Sequence, residues 1–155
     1  MDFLVNSQIQ LFLQLILAAL LGAFIGFERE YKRKEAGLRT YSLVCLGACL
    51  FTVLSNCLFF TFLGQKEINF DPSRIIQAIV MGVGFIGAGV IFREKVTIKG
   101  LTTAAGLWVT AAIGIAVGIG YYSLAAFSAI LVILILFGFG ELERNILNKI
   151  WDRKT

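Results

Sequence analysis

Charged residues are so clustered that they leave four long uncharged blocks, 3–27, 40–65, 75–92 and 100–140. A helix needs about 20 apolar residues to cross about 30 Å of hydrocarbon. The first three blocks therefore each suit one helix, and the last suits two. The blocks lack strict apolar–polar alternation and the chain has one proline, which argues against a transmembrane barrel with strands of about 9–11 residues. The pattern predicts an all-α polytopic membrane protein with helices over about 6–27, 40–63, 73–92, 101–118 and 121–140. The last break falls at Gly118-Ile119-Gly120-Tyr121-Tyr122-Ser123, where glycines and interfacial tyrosines suit a tight turn at the membrane surface.

Composition agrees. The chain is 58% hydrophobic and 15% charged, against about 45–50% and about 25% in soluble domains. The first block is preceded only by Asp2, without the positive flank of a signal peptide, and is expected to stay as a helix. A net charge of +4 does not point to nucleic acid, because the basic residues lie in short loops beside apolar segments. Residues 28–39, 93–100 and the tail carry twelve Lys and Arg, whereas the other side has only Lys66 and Arg74. The positive-inside rule then gives five spans, with the N-terminus outside and the C-terminus cytoplasmic. Residues 1–140 form the five-helix transmembrane domain. Residues 141–155 form a short cytoplasmic tail whose Leu142, Ile146 and Ile150 recur every four residues, as in an amphipathic surface helix.

Small residues carry the clearest packing pattern. Thr102, Gly106, Thr110, Gly114 and Gly118 form a stripe on the fourth helix, Gly22 and Gly26 form one GxxxG on the first, and Gly82, Gly84, Gly87 and Gly89 crowd the third. Such stripes let helix backbones approach closely in lipid, within one subunit or in a homodimer with the fourth helix near its interface. The third-helix glycines equally suit a deformable segment whose carbonyls face a cavity.

Several motifs together resemble a known family. Gly26-Phe27-Glu28-Arg29-Glu30, Ala36-Gly37-Leu38-Arg39-Thr40, Asp71-Pro72-Ser73-Arg74, the segment from Gly82 to Ile91 and Gly100-Leu101-Thr102-Thr103-Ala104-Ala105 look like the membrane domain of the MgtC/SapB family, over about residues 15–122. Gly106 stands where relatives often have threonine and Met81 where they often have serine. The resemblance implies a multi-pass protein of the bacterial inner membrane, linked to magnesium limitation and, in pathogens, to virulence. It implies action by binding other membrane proteins, such as the proton-translocating ATP synthase or a sensor kinase. Relatives often carry a soluble C-terminal domain that this sequence does not show.

Asp71 and Pro72 make an ordinary helix start with Arg74 as a nearby countercharge. A sharper reading lets Asp71, with Glu67, hold a hydrated Mg²⁺, with Gln77 roughly 9 Å further along the helix. At the basic end, Glu28 and Glu30 either belong to a charged interface or close a gate by pairing with Arg39 or Lys99. No histidine is present, no Ser or Cys nucleophile has a base beside it, and Cys45, Cys49 and Cys57 do not supply a zinc shell, so no enzyme is expected. Two classes of function remain. One is a regulator that binds membrane proteins through small-residue helix faces; the other is a Mg²⁺ transporter or channel using Asp71, Gln77 and the third helix.

Overall fold

The uncharged blocks become helices. The computed structural model describes residues 2–62, 71–94 and 97–140, with side chains from Gln8 onward. It contains α1 (Asp2–Tyr31), α2 (Leu38–Phe62), α3 (Ser73–Gly89), a hairpin of β1 (Phe92–Glu94) and β2 (Thr97–Lys99), α4 (Leu101–Ile119) and α5 (Tyr122–Leu134). α5 runs on through a π-helical turn at Ile135–Phe139. Among the described residues, four segments are long and apolar enough to cross a membrane: Gln8–Tyr31, Leu38–Phe62, Leu101–Ile119 and Tyr122–Phe139. α3 is apolar but has 17 residues, about 25 Å of helix. The predicted tail at 141–155 lies outside the described residues, as do Gln65, Lys66 and Glu67.

The third helix ends earlier than the predicted 73–92. Val90 caps α3 at its C-terminus, and the chain then forms an antiparallel hairpin in register Phe92↔Lys99, Arg93↔Ile98 and Glu94↔Thr97. Short β-branched and aromatic stretches, Val90-Ile91-Phe92 and Val96-Thr97-Ile98, favour strand over helix here. The hairpin feeds α4 through Gly100 at φ 88°, where a Cβ would run into the Val90 carbonyl. At the other end of α4, Gly120 at φ 95° closes the helix, with Gly120 N–H donating to Val117 O and Tyr121 N–H to Ala116 O. This pair of bonds is the Schellman closure that favours glycine. The break predicted at residues 118–123 is therefore the α4–α5 turn.

α2 is the central helix. It packs against α1 on one side and α4 on the other, while α5 closes the bundle against α4 and α1. Ile25, Tyr41, Cys45, Cys49, Leu107 and Val117 are fully buried along these seams. α3 hangs on the outside, mainly against α4. Outward faces carry exposed Phe12, Leu20, Phe24, Phe127 and Leu134, as an acyl-chain solvent allows.

Candidate functional site

The polar chemistry concentrates at the basic end, where the connection between α1 and α2 meets the start of α4. Arg29 lies in the last turn of α1 and is 3% exposed. A buried guanidinium needs partners. Its Nη2 donates to Thr103 Oγ1 at 2.6 Å, and its Nη1 lies 4.0 Å from Glu28 Oε2. The Thr103 hydroxyl in turn donates to Glu35 Oε2 at 2.6 Å, while Tyr41 OH donates to the Thr103 carbonyl at 3.2 Å. Hydrogen bonding, first from Thr103, together with the Arg29 and Lys34 charges holds the Glu35 carboxyl below its usual range.

Lys32 extends this cluster to α5. Its Nζ lies 2.6 Å from Glu28 Oε1, donates to the Leu136 carbonyl at 3.2 Å and sits 4.9 Å from the centre of the Phe137 ring. The π-helical turn shifts the helical bonding by one residue, and Lys32 occupies a carbonyl within that turn. α1, α4 and α5 are thus tied by charge-assisted contacts, and α2 joins them through the neutral Tyr41–Thr103 bond.

Glu28 and Glu30 do not meet Arg39 or Lys99 here. Glu28 faces Lys32 and Arg29 instead. Glu30 Oε2 accepts from Leu38 N–H at 2.8 Å and so caps the start of α2, as a carboxylate at a helix N-terminus should. Lys99 pairs across the hairpin with Glu94, which raises its pKa. Arg39 is exposed, with no ion pair or hydrogen bond among the described residues.

At the opposite end, Asp71 Oδ1 accepts from Ser73 N–H at 2.9 Å, and hydrogen bonding from Ser73, its side chain first and then this N–H, lowers the Asp71 pKa with help from the nearby Arg74. Gln77 is exposed on α3. Asp71 therefore acts as a helix cap, and its suggested partner Glu67 lies outside the described residues. No group of three His, Cys, Asp or Glu that could hold a metal occurs among the described residues. Nearer the same end, Gln14 Nε2 donates to Tyr122 OH at 2.9 Å, joining α1 to α5.

The glycines divide into two sets. A Cβ at Gly22 would lie 2.5 Å from Tyr41 O, and one at Gly26 2.7 Å from Leu38 Cα. The α4 stripe meets the other side of α2: Gly106 abuts the Tyr41 hydroxyl, Gly114 abuts the Cys45 carbonyl, and a Cβ at Gly118 would lie 2.7 Å from Thr52 Cβ. Thr110 is fully buried and bonds back to Gly106 O at 2.7 Å. This corrects the expectation that the stripe lies near a dimer interface, because α2 already occupies it. Thr102, predicted as its first member, is exposed, and Thr103 turns inward in its place. On α3 the pattern is opposite. Gly87 meets Ala104 at ordinary contact distance, whereas a Cβ at Gly82, Gly84 or Gly89 would meet nothing within 4 Å.

Between α2 and α3 lies an open cavity of about 690 Å³, walled by Leu43, Gly47 and Phe51 on one side and Ile75, Gly82 and Ile86 on the other, with Thr40 at the basic end. Arg29 and Lys32 were legible in the sequence only as charges, and Glu35, Thr103, Tyr41 and the Gln14–Tyr122 bond were missed. Polar residues inside apolar blocks were the available signal for Gln14, Tyr41 and Thr103.

Comparison with known proteins now adds to this geometry. The MgtC family profile matches residues 15–145. Over 137 residues the chain is 44% identical to the protein of Escherichia coli (strain K12) named "Putative magnesium transporter YhiD", covering 88% of this chain and 64% of that one. It is 42% identical over 118 residues to Protein MgtC of Brucella abortus (strain 2308), with coverage of 76% and 46%. Protein SapB of Bacillus subtilis (strain 168) is 44% identical over 124 residues, with coverage of 79% and 53%. The chain thus spans between about half and two thirds of the length of these relatives. No solved structure matches. With four membrane-length apolar helices and this profile over most of its residues, the chain belongs to the MgtC family of membrane proteins.

Proposed function

We propose that this chain is a five-span protein of the bacterial inner membrane, N-terminus outside and tail cytoplasmic, that serves magnesium homeostasis and adaptation to low magnesium by binding other membrane proteins. The observation that carries this reading is the unused glycine surface of α3. Every glycine of the α1 and α4 stripes is filled by α2, yet Gly84 and Gly89 face open space. Glycine in a helix interior costs about 1 kcal/mol relative to alanine, and in lipid the return is close approach by another helix. A second copy of the chain, a subunit of an ATP synthase and a sensor kinase are partners of that kind. Arg29 and Thr103, and Gln14 and Tyr122, join helices to one another through their side chains, which suits a scaffold better than a conduit.

The test has two arms. Gly84→Leu should leave thermal stability intact but abolish complementation of growth at low magnesium. The purified chain in proteoliposomes should pass Mg²⁺ no faster than empty vesicles. Flux above that background would instead favour the transporter reading, which the name of the Escherichia coli relative supports.

A further inference from the structure

We propose that the α2–α3 groove binds one acyl chain of an anionic phospholipid drawn from the leaflet on the basic side, with the lipid phosphate held at Arg39 and Thr40. This goes beyond the reading above and does not depend on it.

The depth of the groove fits one leaflet. Thr40 to Phe51 on α2 and Ile75 to Ile86 on α3 bound it, each about 16 Å at 1.5 Å rise per residue. Half of a hydrocarbon core of about 30 Å is about 15 Å. Water is disfavoured there, since an apolar wall offers it too few partners. Apart from Thr40, the groove wall is made of apolar side chains and glycines. A single hydrocarbon chain meets both conditions, the depth and the apolar wall.

The mouth supplies the charge. Arg39, Leu43 and Gly47 recur every four residues and so share one face of α2. Leu43 and Gly47 line the groove, which places Arg39 at its basic end. Arg39 is exposed and makes no ion pair or hydrogen bond among the described residues. A guanidinium presents a planar donor fork that matches phosphate oxygens. Thr40 adds a hydroxyl at the same place, and the first turn of α2 adds the positive end of the helix dipole. Glu30 takes the Leu38 N–H alone.

The experiment follows thermal unfolding of the purified full chain in neutral detergent, titrated with phosphatidylglycerol or phosphatidylcholine. Phosphatidylglycerol should raise the Tm at lower concentration. Arg39→Gln should weaken that response about fivefold, the effect of one basic group near an anionic surface, and leave the phosphatidylcholine response unchanged. Gly47→Leu and Gly82→Leu place side chains where nothing lies within 4 Å, so both should fold and lose the response to either lipid. Should a leucine variant fail to fold, phosphatidylglycerol with a photoreactive acyl chain decides on the parent protein: crosslinks should fall between Leu43 and Phe51 and between Ile75 and Ile86. Equal responses of parent and Arg39→Gln to both lipids would overturn the proposal. So would crosslinks spread over the outer faces of α1 and α5, or a photoreactive residue at Leu43 that captures a second copy or another protein instead of lipid.

Discussion

The Arg29 guanidinium on α1 donates to the Thr103 hydroxyl in the first turn of α4 at 2.6 Å, so a buried charge is held by a residue that lies 74 positions away in the chain. Thr103→Val keeps the shape and removes the hydroxyl. Leaving a buried donor without its acceptor costs about 1–3 kcal/mol, more for a charged group. A lower Tm in detergent should follow, and Thr103→Ser should recover most of the loss. A valine variant as stable as the parent would show that the bond contributes nothing.

Thr103 also sets a pH dependence. The folded state holds Glu35 below its ordinary pKa of 4.5, chiefly through the Thr103 hydroxyl. A depressed carboxyl pKa stabilises the fold above the ordinary value, and the contribution fades as pH falls through 4.5 toward the lower folded value. Tm measured from pH 7 to pH 3 should drop below about pH 4.5, and less steeply in Glu35→Gln.

The glycine sets predict opposite outcomes for the same substitution. Gly114→Leu forces a side chain into the Cys45 carbonyl, and overpacking of this kind typically costs about 1–3 kcal/mol. Gly84→Leu meets open space and should match or exceed the parent in Tm. The Gly114 variant should lose stability without a change in oligomeric mass. A mass change at unaltered stability would place the α4 stripe between subunits after all.

Orientation is accessible by labelling. In a cysteine-free background, a cysteine at Gln65 should react with an impermeant thiol reagent added outside the cell, and one at Thr97 should react only after permeabilisation. The reverse pattern would invert the protein in the membrane.

Asp71 separates capping from cation binding. Asparagine caps about as well as aspartate, so Asp71→Asn should keep the parent Tm without Mg²⁺, whereas Asp71→Ala should lose a few degrees. A cation held at this carboxylate requires a Mg²⁺-dependent rise in the parent that the asparagine variant lacks. Equal rises in both leave Asp71 as a cap.

The helices were legible because hydrocarbon imposes its thickness on the sequence: charges can sit only where a span ends, so the blocks between them outline α1, α2, α4 and α5 within a few residues. The hairpin at Phe92–Lys99 was not legible, since three-residue strands among charges give too short a period to register. Periodicity found the stripe on α4 but could not say which helix fills it, because small residues serve a neighbour in the same chain and a partner equally well. It also chose Thr102 where Thr103 turns inward, a rotation of one residue at a helix end. Glu35 was invisible as a site residue. Its role depends on the loop folding back to within 2.6 Å of Thr103, and loop geometry has no sequence period.

The attachment of α3 mainly to α4, and more lightly to α2, has a consequence for biosynthesis. α1 and α2 are neighbours in sequence and in space, and can zip together as soon as both have left the ribosome. α3 emerges next, but its main neighbour, α4, is still unmade. The newborn chain must therefore hold a short apolar helix without its main neighbour until α4 arrives and packs against both α2 and α3. Assembly is out of order at this step, and a chain truncated after residue 100 and released from the ribosome should expose α3 to protease and chaperone while the α1–α2 pair is already protected.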